Sequence, residues 1–173
     1  MREPSERSSE RVPSRIVRAP ASEFRVVYET IDYDTAHALQ FIDITADVRR
    51  FVTAAEIVDG QVAVVSLHTT AAVVVNEHEP LLLNDMARVL RRLAPADDYY
   101  EHNDFSIRTV NMTADERENG HAHCQHLFLG TSETIPIRAG ELTLGLWQSV
   151  FLVELDHARR RTVQLHAMGV AGA

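Results

Sequence analysis

The chain has 173 residues, 45% hydrophobic and 24% charged, with a formal net charge of −8. That length suits one domain with a real core and is short for two, and no apolar run approaches the roughly 18 residues of a membrane span. All 17 basic residues are arginine, so a broad cationic surface for nucleic acid is not expected, although arginine forks suit carboxylates and phosphates locally.

Residues 1–22, rich in Arg, Ser, Glu and Pro, carry too few apolar side chains to offset the entropy of ordering them. They read as a disordered tail, leaving 23–173 as the single domain, with its core starting near Phe24. FRVVYETI (24–31) and ALQFIDI (38–44) are rich in β-branched and aromatic residues and read as a strand pair. TADVRRFVTAAEIV (45–58) offers Thr45 as N-cap, Asp47 in the first turn and Val48, Phe51, Val52 and Ala55 at helical spacing, with Asp59-Gly60 as its stop. QVAVVSLHTTAAVVVNE (61–77) is too β-branched for a helix, and its central His-Thr-Thr divides it into two buried strands or one bent strand.

PLLLNDMARVLRRL (80–93) opens with proline at a first-turn position and predicts a helix whose stripe is Leu82, Met86, Val89, Leu90 and Leu93. Residues 94–120 are polar and aperiodic, a long loop of the kind that is functional or mobile. Gly130 fits the position just past a helix end, so Ala122, Gln125, Phe128 and Leu129 predict a short helix before it. Strands follow at 134–137, 141–144, 146–155 and 161–168, the last two as a hairpin. The sum is an α+β domain with a mostly antiparallel sandwich or barrel-like sheet and two to three helices.

The polar trio His68-Thr69-Thr70 interrupts two apolar strands and must find partners inside the fold or face a cavity. Asn76-Glu77-His78-Glu79 precedes a helix N-terminus, where free N–H groups receive anions or acidic side chains. For Glu79 the charge is explained by the helix dipole alone, whereas Asp85, a carboxylate beside an apolar stripe, reads equally as functional or structural. Tyr99 to Asp104 gathers aromatic, acidic and imidazole groups in a loop. His123 and His126 share a helical face, a weak metal motif without a third ligand, and His121 starts the helix.

HTTAAVVVNEHE, YYEHND, HAH…LFLGTSETIPI, AGELTLGLWQSVFLVELD and the terminal RRRTV…G, in that order from about Phe24 to Gly169, resemble the YjbQ family (UPF0047), described as secondary thiamine-phosphate synthases. The resemblance implies a small α+β protein assembling as a homotrimer, with a thiamin phosphate synthase activity secondary to another role. It places His68, Asn76, Glu77, Asp85, His102, Asn103, His123, Trp147 and Gln148 on the family's motif positions; of the residues so marked and their neighbours, His68, Glu77, His102 and His123 are the catalytic candidates and Thr69, Asn76, Asp85, Asn103, Trp147, Gln148 and Arg161 the substrate-binding ones. Cys124, His126, Leu146 before the tryptophan and a longer loop after Asp104 depart from the family pattern.

Thiamin phosphate synthesis joins a pyrimidine methyl diphosphate to a thiazole phosphate and expels pyrophosphate. It needs positive charge at the leaving group and an aromatic partner for a cationic ring. Mg²⁺ on Glu77 and Asp85 would supply the first, helped by Arg159 or Arg161, and Trp147 or Tyr100 the second, worth roughly 0.5–2 kcal/mol. His68, His102 and His123 alternatively form a three-nitrogen site for Zn or a similar metal. Two further readings stay open: a metal-dependent enzyme of another class, such as a hydrolase, and a non-catalytic trimer that binds a small phosphorylated or anionic ligand. One cysteine and no apolar leader favour a cytoplasmic setting.

Overall fold

Strict alternation builds the first strand, β1 (Phe24–Asp34), with every second side chain exposed along its length. The structure, a computed structural model, describes residues 23–172, and the tail expected over 1–22 lies outside them. After β1 come β2 (Gln40–Asp43), α1 (Thr45–Ala55), β3 (Ile57–Ser66), β4 (Ala71–Glu77) and α2 (Pro80–Leu93). A single 3₁₀ turn at Glu101–Asn103 precedes α3 (Gly120–Leu129), and β5 (Ser132–Arg138), β6 (Glu141–Leu142), β7 (Gln148–Glu154) and β8 (Arg160–Ala171) complete the chain.

The strands form two antiparallel sheets, a five-stranded one in the order β1-β8-β3-β5-β6 and a three-stranded one in the order β2-β7-β4. The main core lies between them, with α1 contributing Val48, Phe51, Val52 and Ala55 and the sheets Val64, Val73, Leu152 and Leu165, all buried. The other face of the small sheet carries Ala72, Phe151 and Val153 against Ala87 and Leu90 of α2 and Ala122 of α3. The order is thus large sheet, small sheet, then α2 and α3, with α1 packed into the core between the sheets. This is the α+β architecture that the sequence pattern predicts.

Four local expectations are corrected. Strands β1 and β2 do not pair with each other: β1 pairs with β8 and β2 with β7, in different sheets, because the chain crosses between layers at Leu39, which is buried against Phe151 on the helix side. Nor do β7 and β8 form a hairpin; the link at 155–159 carries the chain from the small sheet to the large one. Helix α1 stops at Glu56, held in the left-handed region at φ 53, whereas Asp59 and Gly60 lie inside β3. Gly60 is required there by close approach, since a Cβ would sit 2.2 Å from the Met168 carbonyl oxygen. Thr45 is the first helical residue of α1, and its hydroxyl accepts from the Val150 N–H at 2.8 Å instead of capping.

Helix α2 keeps its expected bounds but turns a different face inward. Ala87 and Leu90 are buried, while Val89 and Leu93 of the expected stripe are 56% and 46% exposed. Glu79 caps this helix with both carboxylate oxygens, accepting from Leu81 N at 2.9 Å and Leu82 N at 2.7 Å, as a charge at the positive helix end should.

Candidate functional site

The break between β3 and β4 places His68, Thr69 and Thr70 at the mouth of a cavity of about 490 Å³, lined also by His102, Arg108, Asn119, His123, Arg159 and Arg161. Its floor is an ion pair taken wholly out of water. Arg161 and Glu154 are 1% and 0% exposed, and the guanidinium grips the carboxylate with two nitrogens, Nε at 2.6 Å from Oε2 and Nη2 on Oε1. The remaining capacity is filled. Thr35 Oγ1 donates to Glu154 Oε2 at 2.9 Å and Asp156 N donates to Oε1 at 2.9 Å, while Arg161 Nη2 also donates to the carbonyl and hydroxyl oxygens of Thr70. A buried charge pair persists only with this degree of satisfaction.

His68 hangs from the next residue of β8. Its Nε2 accepts the Thr162 N–H at 2.7 Å, so the neutral ring carries its proton on Nδ1. Burial, then the Arg161 charge, lowers its pKa and favours that neutral form. Across the cavity the His102 and His123 rings meet edge to face, centroids 4.6 Å apart. His102 Nε2 is buried with no hydrogen-bond partner among the described residues. Burial, then His102 and Arg108, lowers the pKa of His123.

His123 on α3 is positioned by neighbours with structural tasks. Asn103 Oδ1 accepts the Gly120 N–H at 2.8 Å, tying the 3₁₀ turn to the helix start. Gly120 lies so close to the Tyr100 ring that a Cβ would fall 2.6 Å from Tyr100 Cβ. Tyr100 itself donates to the Pro95 carbonyl at 2.8 Å. Asp156, 5% exposed, holds Arg159 at 3.3 Å and His157 at 2.9 Å; burial alone would raise its pKa, but His157, Asn119 and Arg159 bring it below the ordinary value.

The residues singled out from the sequence fall into separate places. His68, Thr69, His102, His123 and Arg161 share the cavity. Asn76 and Asp85 line a different groove of about 300 Å³, floored by Phe41, Val74 and Leu129 and walled by α2. There Asn76 Nδ2 lies 3.4 Å from the Met86 sulfur and Asp85 pairs with Arg88 one helical turn on. Glu77 stands opposite Gln148 at the end of the small sheet, Gln148 accepts from Gly145 N at 2.7 Å, and Trp147 is 68% exposed. His121 turns to another pocket with Gln125, and His126 approaches Thr131 at 3.5 Å.

These placements bear on the metal expectation. His68 has spent Nε2 on a backbone N–H, leaving His102 and His123 as the neighbouring imidazoles, and no three His, Cys, Asp or Glu side chains among the described residues lie close enough to hold one ion. A three-nitrogen centre therefore does not assemble from this chain's described residues alone. Glu77 and Asp85, the pair considered for Mg²⁺, lie away from the histidine cavity.

Sequence reasoning missed Arg108, Glu116, Asn119, Glu154 and Asp156. For Glu154 a signal existed, an acid inside the apolar run FLVEL, where a buried charge demands a partner. Arg108 gave none, because its role depends on how the long loop folds.

Comparison with known proteins supplies the lineage. The family model described as "UPF0047 protein YjbQ-like" matches residues 29–170. A UPF0047 protein of Methanothermobacter thermautotrophicus is 33% identical over 147 residues, 84% of this chain and 95% of that one. One from Mycobacterium tuberculosis is 35% identical over 138 residues, 79% and 94% of the two chains. Among solved structures, a YbjQ-like protein of unknown function from Sulfolobus solfataricus superposes with TM-score 0.77 at 32% identity, covering 85% of this chain and 99% of that one. A hypothetical protein from Aeropyrum pernix gives TM-score 0.72 at 33% identity, covering 83% and 98%.

Proposed function

This chain belongs to the YjbQ-like UPF0047 family, and from that premise we propose that its histidine–arginine cavity binds a small phosphorylated or otherwise anionic ligand. The observation that carries this reading is the convergence of Arg108, Arg159 and Arg161 with His68, His102 and His123 on one cavity. Arg161 is committed to Glu154, so it fixes the floor and the local field, while Arg159, Thr69 and the Nδ1–H of His68 receive the anion. His102 and His123 are the groups for proton transfer, being adjacent imidazoles that meet edge to face in the cavity. Asn103 acts on His123 indirectly, by fixing the start of its helix.

A site of this kind suits displacement of pyrophosphate, which supports a secondary thiamin phosphate synthase capability in the cytoplasm. The divalent metal, Mg or Zn, belongs to the same proposal and requires donors beyond those the described residues bring together. The homotrimer is proposed from a surface. Among the described residues no helix covers the outer face of the large sheet, which exposes Val26 at 53% and Tyr28 at 71% beside the β8 face that carries Met168.

Calorimetric titration with inorganic phosphate tests the anion reading: saturable one-to-one binding that is weakened in Arg159→Ala is expected, and no heat at millimolar phosphate overturns it. Rescue of a thiamin-requiring strain that lacks its own synthase tests the capability, with failure at high expression counting against it. Sedimentation equilibrium reads the trimer directly.

A further inference from the structure

The histidine–arginine cavity shares a wall with a second one. Beyond the 3₁₀ turn lies a cavity of about 400 Å³ lined by Glu101, His102, Ile107, Arg108, Val110 and Asn111. His102, Arg108 and Asn111 belong to both linings. The shared wall is a built feature of the long loop. Arg108, 11% exposed, donates to the His102 carbonyl at 3.3 Å, to the Asn111 carbonyl at 2.8 Å and to the Glu116 carboxylate at 3.0 Å. Asn111 takes φ 52, a left-handed conformation that asparagine tolerates better than most residues, and the chain reverses there. Glu116 is tied in turn to the N–H and hydroxyl of Thr113.

The two sides of this wall differ in chemistry. One holds guanidinium and imidazole groups, its carboxylate, Glu116, being neutralised by Arg108 at 3.0 Å. The other presents Ile107 and Val110, 58% and 69% exposed, together with the carboxylate of Glu101. Apolar side chains left open on a pinned loop gain by covering, and a carboxylate beside them repels a second anion. Each volume falls within the roughly 300–1,000 Å³ of small-molecule sites.

Building on the anion reading above, we propose that the two cavities form one bipartite site for a phosphate monoester. The histidine–arginine side takes the phosphate, and the Ile107–Val110 side takes the organic body, an apolar flat or branched group without negative charge. Arg108 stands at the junction and ties the position of the head to that of the body. The loop from Asp104 to Glu116 is then the element that selects the substrate.

The test titrates the full chain at one pH with inorganic phosphate, phenyl phosphate and 4-carboxyphenyl phosphate. Phenyl phosphate is expected to bind about tenfold more tightly than phosphate. The carboxylated ester should lose most of that gain, and Glu101→Gln should restore it. Val110→Ser and, independently, Ile107→Ser should each remove most of the phenyl advantage with phosphate affinity unchanged. Phenyl phosphate binding no tighter than phosphate, or an advantage that survives both loop variants, overturns the bipartite site while leaving the anion reading intact. Failure of phosphate itself to bind overturns the anion reading and this one with it.

Discussion

The histidine–arginine cavity and the α2 groove lie on one domain, yet they are made by opposite means. The cavity draws on residues 67–70, 102–123 and 159–161, distant in sequence, and it is polar because each guanidinium has a partner: Glu154 beneath Arg161, Asp156 behind Arg159, and Glu116, itself in the lining, for Arg108. The groove is largely apolar, formed by Leu82, Met86 and Val89 of α2 over Phe41, Val74 and Leu129, with Asn76 and Asp85 at its edge. A site that handles anions needs charges whose positions are fixed before the ligand arrives, and fixing them takes partners behind the wall. An apolar groove needs only shape. The difference teaches that here the supporting carboxylates are as informative about function as the residues that line the cavity.

Breaking the floor should produce the largest effect. Glu154→Leu leaves Arg161 charged and buried, so a loss of about 3–5 kcal/mol is expected, seen as a fall in melting temperature on the order of 10 °C. The double variant Glu154→Leu, Arg161→Met removes both charges and should recover most of that stability while losing phosphate binding. A double variant no more stable than the single one would show that the floor is not acting as a paired charge.

Next in size is Arg159→Ala. Its side chain is 38% exposed, so the melting temperature should move little, while phosphate affinity falls about tenfold on loss of one charge-assisted contact. Binding unchanged in this variant would remove Arg159 from the anion site.

A smaller effect is expected from pH. His68 and His123 both have pKa values lowered from the ordinary histidine value; His68 keeps Nε2 as acceptor for the Thr162 N–H, so it is the protonated form of His123 that a bound anion favours. Sulfate, whose charge is constant over this range, should therefore bind severalfold more tightly at pH 5.5 than at pH 7.5. Stability without ligand runs the opposite way. A histidine whose folded pKa is depressed contributes fully above about pH 6.5 and loses that contribution as pH falls, so the urea midpoint should drop between pH 7 and 5.5. Sulfate affinity independent of pH would separate His123 from the anion.

The smallest effect sharpens the contrast from the other side. Asp85→Ala and Met86→Ser alter the groove only, and phosphate affinity should stay within about twofold of the unaltered chain. A larger loss would mean that the two regions act together, as they would if a second copy brought its groove to the cavity.

The sequence revealed the helices and strands more readily than their partners. The bounds of α2, the break at His68 and the helix end at Gly130 follow from proline, glycine and periodicity within a few residues of chain. The strand partners do not, because alternation tells which side chains face inward and not which strand lies alongside; β2 pairs with β7 and β8 with β1 and β3, all far away along the chain. The same limit applied to the site. His68, Thr69, His102, His123 and Arg161 were recognisable as polar groups in unusual places, whereas Arg108 and Asp156 acquired meaning only from what the fold set beside them.

By itself, the sequence determined the α+β class, the family and a set of imidazoles in need of partners, since these depend on local pattern and residue type. Only the tertiary structure decided that His68 gives its Nε2 to the backbone of Thr162, that Asp85 and Asn76 belong to another groove, and that Arg161 is held by Glu154. Those outcomes depend on long-range sheet pairing, which brings residues about 90 positions apart to within 3 Å, as His68 and Thr162 show at a separation of 94 and 2.7 Å. No short stretch of chain encodes a contact of that kind.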